Sequence, residues 1–246
     1  MASPRDHSFH GRNACRALFE QRPDAIHRAL LSEDAAPRFA DLMKALAQRR
    51  RPYRVVSPEE LERVAGSRHH EGICLIADPI EAPHSDVILA GLDERPARWI
   101  FLDGVKNPHN VGALLRAAAH FGEAAIAGLP EDLPNVSGTV ARIAERGAEH
   151  VPVLTWPDPR RAIARLREHG FATVAAETRG APSVFDVDLP RRVVFLLGAE
   201  HEGLSESARD VADLAVSIPG TGDVESLNVT VACAVLLAEH VRRHPR

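Results

Sequence analysis

The sequence predicts an α/β protein in which a small N-terminal α/β unit precedes a larger domain built on a parallel sheet. From residue 97 onwards, short apolar runs alternate with stretches whose apolar residues recur every three or four positions. These apolar runs are continuous, which is typical of parallel strands buried on both faces. A polar stretch over residues 81–96 precedes this pattern and is interpreted as a linker. The predicted domains are therefore residues 1–80 and residues 97–246.

The N-terminal unit is predicted from shorter periodic segments. Ser57 is placed to cap a helix, Pro58 occupies the first helical position, and Glu60 stands where a capping box needs an acid. The predicted helices are Asn13–Glu20, Pro37–Arg50 and Pro58–Ala65, and the predicted strands are Ile26–Leu31, Tyr53–Val56 and Gly72–Ala77.

The larger domain is predicted to contain six strands and five helices, which alternate except that a loop joins the fourth strand to the fifth. The strands are Trp99–Leu102, Ala124–Ala127, Val151–Leu154, Ala172–Ala176, Val193–Leu197 and Leu214–Ser217. The helices are Val111–His120, Val136–Arg146, Pro159–His169, Ser205–Arg209 and Ser226–Arg243. Ligands of such sheets bind beyond the carboxyl ends of the strands, so we expect functional residues in the loops that follow them.

The composition excludes several classes of protein. The net charge is −4, and residues 1–90 carry 13 basic and 13 acidic side chains, so the chain is not a polycation that binds nucleic acid indiscriminately. No apolar run approaches the length of a membrane span, and the polar N-terminus lacks the apolar core of a signal peptide, so we expect a cytoplasmic protein. Three distant cysteines and 13 histidines show no spacing typical of a disulfide framework or a metal site.

Three segments at predicted strand ends carry the polar residues of interest. They read NVGALLR from Asn110 to Arg116, GAEHEG from Gly198 to Gly203, and IPGTGDVESLNV from Ile218 to Val229. Each has an ordinary structural interpretation when taken alone. Asn110 can be a helix N-cap beside a surface arginine, the second segment can be a glycine-rich turn, and Ser226 can cap the final helix.

Together, in order and spacing, the three segments resemble the signature motifs of the SpoU/TrmH family of SPOUT methyltransferases, over about residues 97–243. The segments from Phe9 to Ala14 and from His69 to Ile73 are similar to the substrate-binding domain of the family's ribosomal-RNA branch. The resemblance implies a deep C-terminal trefoil knot, a homodimer, S-adenosylmethionine as the methyl donor, and methylation of a ribose 2′-hydroxyl in RNA, with ribosomal RNA favoured over transfer RNA.

The resemblance also implies a role for each matching residue. Arg116 acts as a base or stabilises the developing alkoxide, and the second role is easier because arginine stays protonated. Asn110 and Glu200 would position Arg116 and the ribose. Ser226 and Asn228 would bind phosphate or complete the pocket. The residues expected to bind the cofactor are Thr178, Gly198, Ile218 and Leu227, and no metal is required.

The sequence is compatible with alternatives in function and in RNA contact. A non-catalytic RNA-binding protein of the same fold is the alternative function, whereas a nucleotide-binding dehydrogenase is disfavoured because its glycine signature does not follow the first strand of the larger domain. The basic cluster at Arg49–Arg51 either contacts RNA phosphates or forms a solvated helix end. The family commonly has Asp at the position of Asn107, a departure that leaves the RNA target in question.

Overall fold

A computed structural model of the chain describes residues 6–93, 95–122, 124–200 and 202–245. The chain forms two compact units. The first comprises the chain up to Glu81 together with Asn135–His150, and the second comprises Ala82–Pro134 and Val151–Arg246.

The strands and helices have the following bounds. The strands are β1 (His7–His10), β2 (Ile26–Leu31), β3 (Tyr53–Val55), β4 (Ile73–Ala77), β5 (Ala97–Asp103), β6 (Ile126–Gly128), β7 (Val153–Thr155), β8 (Phe171–Glu177), β9 (Arg192–Gly198) and β10 (Leu214–Ser217). The α-helices are α1 (Arg12–Gln21), α2 (Ala40–Gln48), α3 (Pro58–Ala65), α4 (Ser85–Ala90), α5 (Pro108–Phe121), α6 (Gly138–Ala144), α7 (Pro159–Glu168), α8 (Glu206–Arg209) and α9 (Val229–Arg243). Short 3-10 turns span Pro23–Ala25, Ala36–Phe39 and Gly147–Glu149.

The first unit is built on a four-stranded sheet in the order β1-β4-β2-β3. The strand β1 is absent from the sequence-based prediction. It pairs antiparallel with the fully buried β4, whereas β2 pairs parallel with β3. Ser57 caps α3 as predicted, since its hydroxyl accepts a hydrogen bond from the backbone N–H of Glu60.

Residues 135–150 belong to this first unit, although the alternating pattern had assigned them to the larger domain. Arg22 explains part of the packing, because its Nε and Nη2 donate to the two carboxylate oxygens of Glu149 at 2.7 and 3.0 Å. The side chain of Glu149 is only 4% exposed, so the carboxylate of this pair is well shielded from water. Asn13 Nδ2 adds a hydrogen bond to Glu145.

Two arginines of the basic cluster at Arg49–Arg51 bond within the same unit. Arg49 pairs with Asp24, and the Arg51 guanidinium donates to the backbone carbonyls of Asp24 and Ile26. Arg51 therefore holds the start of β2, an interpretation that the sequence alone did not suggest.

The second unit confirms the predicted parallel sheet. Its six strands run in the order β10-β8-β9-β5-β6-β7, and every neighbouring pair is parallel. On one side of the sheet, Trp99, Phe101 and Trp156 form part of a buried apolar cluster. The segment 81–96, interpreted as a linker, contains α4 in this unit, and its Leu89 is buried in the same cluster. No helix within the described residues is long and apolar enough to cross a bilayer.

The start of the final helix corrects the sequence-based prediction. Helix α9 begins at Val229 and not at Ser226, and its N-cap is Asn228. The amide oxygen of Asn228 accepts the backbone N–H of Thr230 at 2.9 Å, so the cap sits two residues later than predicted. Similarly, Asn107 caps α5, which places Asn110 inside the first turn of that helix.

A buried polar pair joins β5 to α9 in the second unit. Arg98 Nε donates to His240 Nδ1 at 3.1 Å, so the other ring nitrogen of His240 carries the proton and donates to the carbonyl of Pro190. Arg98 also donates to the carbonyls of Phe121 and Gly122. Burial of the ring, followed by the nearby guanidinium of Arg98, lowers the pKa of His240 to about 4.

This low pKa makes the stability of the second unit depend on pH. Because the unfolded chain takes up the proton first as the pH falls below about 6.5, the free energy of unfolding decreases between pH 6.5 and pH 4. His240→Gln keeps a donor and an acceptor but removes this titration. Between pH 7 and pH 5 we expect the wild type to lose about 2 kcal/mol more than the variant.

Urea unfolding followed by tryptophan fluorescence measures this difference, since both tryptophans, Trp99 and Trp156, lie in the second unit. His84→Gln, which alters an exposed histidine of the same unit, is the control for loss of a histidine. An equal loss of stability in wild type and His240→Gln would contradict the interpretation.

Candidate active site

The candidate site lies where strands of the second unit end. The loops after β8, β9 and β10 and the start of α5, which follows β5, all emerge at the carboxyl edge of the parallel sheet. The chain leaves β5 towards β6 on one side, whereas β9 stands on the other side of β5. Such a change of direction is the usual place for a ligand in an open α/β sheet.

The turn after β9 depends on two glycines. Gly203 has a φ of +68°, a left-handed conformation that favours glycine, and its N–H donates to the carbonyl of Ala199 at 2.9 Å. A Cβ at Gly198 would collide with the backbone carbon and oxygen of Gly203. The glycines of the second signature segment therefore allow the chain to fold tightly back and leave Glu200 at the tip.

The loop after β8 is fastened to the end of β10. Ser217 donates its N–H to the carbonyl of Pro182 and its hydroxyl to the carbonyl of Ala181, both at 2.8 Å. Its own carbonyl accepts the N–H of Val184 at 2.8 Å. These bonds fix the segment that follows Thr178 beside the third signature segment.

Three polar residues from the three signature segments meet in one hydrogen-bonded cluster. The same carboxylate oxygen of Glu200 accepts a bond from Asn110 Nδ2 at 3.1 Å and one from Asn228 Nδ2. Asn228 Nδ2 also lies 3.4 Å from Asn110 Oδ1. Residues 90 and 118 positions apart are thus brought together, and Asn228 caps α9 with its oxygen while it holds Glu200 with its nitrogen.

Two adjoining cavities open beside this cluster. The first, of about 260 Å³, has a largely apolar lining that includes Val216, Ile218 and Leu236. The second, of about 540 Å³, is lined by polar residues that include Glu200 and Asn228. The two cavities share Ala176, Glu177, Thr178, Glu225, Ser226, Leu227 and Ala232 in their walls.

The predicted cofactor residues all line these cavities. Thr178 and Leu227 border both, Ile218 borders the first, and Gly198 borders the second. Ser226 also borders both, in the exposed loop before α9 rather than at a helix cap.

Arg116 lies elsewhere on α5, and its side chain is exposed. It follows Asn110 by six positions, which corresponds to a rise of about 9 Å and a rotation of roughly 120° around the helix. The described contacts of the cluster join Asn110, Glu200 and Asn228, so the catalytic role of Arg116 stays a prediction.

Sequence reasoning missed an ion pair in the wall of the second cavity. Glu177, the last residue of β8, and Arg209 of α8 both border this cavity and pair with each other. The position of Glu177 at a strand end was the available signal, but no sequence pattern linked it to Arg209.

Two further acids bond residues around the end of β5. Asp103 at the end of β5 accepts the N–H of Ser205, which caps α8. Asp132, which is 8% exposed, accepts the N–H of Gly104 and pairs with Lys106 at 3.0 Å. Within the described ranges, no group of three His, Cys, Asp or Glu side chains is placed to hold a metal ion.

Comparisons with known proteins match both parts of the chain. A model described as the SpoU rRNA Methylase family matches residues 97–238, and one described as RNA 2′-O ribose methyltransferase substrate binding matches residues 10–83. An uncharacterized tRNA/rRNA methyltransferase, YfiF of Escherichia coli O157:H7, is 36% identical over 237 residues, which cover 96% of this chain and 68% of YfiF. The 23S rRNA (guanosine-2′-O-)-methyltransferase RlmB of Bordetella pertussis is 33% identical over 236 residues, covering 95% of this chain and 96% of RlmB.

A solved structure also matches nearly the whole chain. The SpoU methyltransferase AviRb from Streptomyces viridochromogenes, in complex with the cofactor AdoMet, superposes with a TM-score of 0.80 at 20% identity. The match covers 97% of this chain and 90% of AviRb, and it shows a shared fold.

Proposed function

This chain belongs to the SpoU rRNA methylase family, and we propose that it transfers a methyl group from S-adenosylmethionine to a ribose 2′-hydroxyl of ribosomal RNA. One observation carries the proposal. The Asn110–Glu200–Asn228 cluster joins the three signature segments beside cavities that all four predicted cofactor residues border.

The residues that line the cavities fit this methyl donor. The donor carries a sulfonium and an ammonium against one carboxylate, a net charge of +1. The second cavity is bordered by four carboxylates, those of Glu177, Glu200, Glu202 and Glu225, and by the guanidinium of Arg209, a balance that favours a cationic ligand. The first cavity offers apolar side chains such as Ile218 and Leu227 to a flat adenine ring.

The donor's sulfonium supplies an electrophilic methyl group without a metal. The chain must then align the ribose hydroxyl with this methyl group and favour loss of the hydroxyl proton, because that hydroxyl is a poor nucleophile at neutral pH. We assign alkoxide stabilisation to the Arg116 guanidinium, and we assign positioning of the ribose to Asn110 and Glu200, which hold each other at 3.1 Å. Ser226 and Asn228 complete the pocket beside them.

We also propose a homodimer whose active site is completed across the two-fold interface. Helices α5 and α9 pack together, and the exposed side chains of Val224, Leu227 and Val231 lie before and within the first turn of α9. Arg116 and Asn110 lie on different sides of α5. Asn110 belongs to the cluster of its own protomer, and Arg116 can therefore face the cavity of the partner protomer.

The proposed fold includes the deep trefoil knot of the family. The fastening of residues 181–184 to Ser217 supports it, because the chain after β10 leaves next to the loop that follows β8. We assign RNA recognition to residues 1–80, and we place the enzyme in the cytoplasm.

A comparison of RNA substrates tests the proposed target. RlmB is named for a guanosine of 23S rRNA, and its match spans nearly the full length of both chains. We therefore expect label from methyl-labelled S-adenosylmethionine to enter unmodified large-subunit rRNA. Small-subunit rRNA and a transfer-RNA fraction serve as parallel substrates. Label confined to transfer RNA would contradict the ribosomal assignment, and cofactor binding without transfer to any of these RNAs would favour the non-catalytic alternative.

A further inference from the structure

The ion pair between Glu177 and Arg209 is bidentate. Arg209 Nε donates to Glu177 Oε1 at 2.7 Å, and Nη2 donates to Oε2 at 3.3 Å. The hydrogen bond that Arg209 donates to Glu177 raises the pKa of the guanidinium, and the negative charge of the same carboxylate adds to this effect. Two parallel donors on one planar group fit a carboxylate better than a point charge does.

The pair lies directly beside the turn after β9, the second signature segment. Both residues border the second cavity together with Glu200 and Asn228. A Cβ added to Gly203 would lie 3.6 Å from Arg209 Nη2, so the guanidinium packs over the turn of the second signature segment. A ligand in this cavity therefore meets both charges.

The pair is not needed to form α8. Ser205 caps this helix through a bond from the N–H of Ala208, and Ala208 and Val211 anchor it in the apolar cluster. The side chains of Arg209 and Glu177 are 47% and 23% exposed, and partly exposed pairs of this kind contribute little to stability. The pair is thus available to exchange its partners for those of a ligand.

We propose that Arg209 binds the α-carboxylate of the methyl donor's amino-acid moiety and that Glu177 binds its α-ammonium group. This inference rests on the proposed function and names the part of the second cavity that holds the methionine end. The adenine ring then occupies the apolar first cavity. A zwitterionic end group replaces each member of the ion pair by a group of the same charge, so neither side chain is left uncompensated.

Two ligands that differ only in the amino-acid end test the inference by calorimetry on the full chain. S-adenosylhomocysteine carries this end, whereas 5′-methylthioadenosine lacks it. For Arg209→Gln we expect the Kd of S-adenosylhomocysteine to rise about 10- to 100-fold, the effect of losing hydrogen bonds to a charged group. The Kd of 5′-methylthioadenosine should stay within about twofold, because an exposed charge far from the adenine contributes little.

Further variants sharpen the result. Arg209→Lys keeps the charge but loses the fork, so its Kd for S-adenosylhomocysteine should fall between those of the wild type and Arg209→Gln. Glu177→Gln should raise the Kd of S-adenosylhomocysteine and leave the Kd of 5′-methylthioadenosine unchanged. Arg160→Gln is the matched control, since Arg160 forms an exposed pair with Asp210 and does not border either cofactor cavity.

Several outcomes would overturn the inference. An unchanged Kd of S-adenosylhomocysteine in Arg209→Gln, or an equal loss for both ligands, would contradict it while leaving the proposed function intact. Weaker RNA binding by Arg209→Gln at unchanged affinity for S-adenosylhomocysteine would assign Arg209 to an RNA phosphate instead. A wild-type protein that binds neither ligand would contradict the proposed function itself.

Discussion

Arg116→Ala is expected to reduce the kcat of methyl transfer by about 10²- to 10³-fold, the cost of removing one preorganised donor from a developing oxyanion. The reason is chemical: the ribose oxygen gains negative charge as its proton leaves, and a guanidinium stabilises that charge without titrating itself. Arg116 is exposed, so its removal leaves the core of α5 intact. Single-turnover measurements with labelled cofactor would report the effect.

Cofactor binding separates this role from a structural one. We expect the Kd of S-adenosylmethionine for Arg116→Ala to stay within about threefold of the wild type, because Arg116 lines neither cavity of its own protomer and its assigned partner is the ribose oxygen. Arg161→Ala removes another exposed arginine, on α7, and should leave the rate unchanged. A loss of cofactor affinity that accounts for the whole loss of rate would refute the catalytic assignment.

Gly198→Ala is expected to abolish cofactor binding at the second cavity. The new methyl group would meet the backbone of Gly203 and the N–H of Leu204. Leu204 is 2% exposed and belongs to the apolar cluster, so the turn cannot retreat without unpacking the core. Overpacking of this kind costs about 1–3 kcal/mol, and the displaced turn carries Glu200 with it.

Calorimetry with S-adenosylhomocysteine and thermal unfolding measure the two effects together. Gly91→Ala at the end of α4 is the matched control, since its Cβ would make only an ordinary contact of 3.6 Å with the carbonyl of Ile88. Gly203→Asn gives a milder second test, because Asn tolerates the left-handed conformation better than other side chains. Wild-type affinity in Gly198→Ala would show that the turn is not part of the cofactor site.

The sequence predicted the large sheet well because its strands are buried on both faces. Runs such as Val193–Leu197 contain no polar residue, which is typical of a strand buried on both faces. The observed β9 extends this run by one residue at each end. The family resemblance grouped Asn110, Glu200 and Asn228 with Arg116 and Ser226 as catalytic residues. The structure brings the first three together at the carboxyl edge of the sheet, and the catalytic roles of all five stay predictions.

Features set by tertiary contacts escaped prediction. Strand β1 reads His-Ser-Phe-His, and only its pairing with the buried β4 makes it a strand. The N-cap of α9 is Asn228 and not the predicted Ser226, although both residue types are good caps. Asn228 also donates a hydrogen bond to Glu200, which favours its position at the cap. The ion pair of Glu177 with Arg209 joins residues 32 positions apart with no pattern between them.

The chemical position of the transferred methyl group tests the central claim most directly. A 2′-O-methyl ribose cannot assist cleavage of the adjacent phosphodiester, so alkaline hydrolysis of labelled large-subunit rRNA should release the label in alkali-resistant dinucleotides. Arg116→Ala protein under the same conditions should give only background label. Label recovered in mononucleotides would place the methyl group on a base and contradict the account.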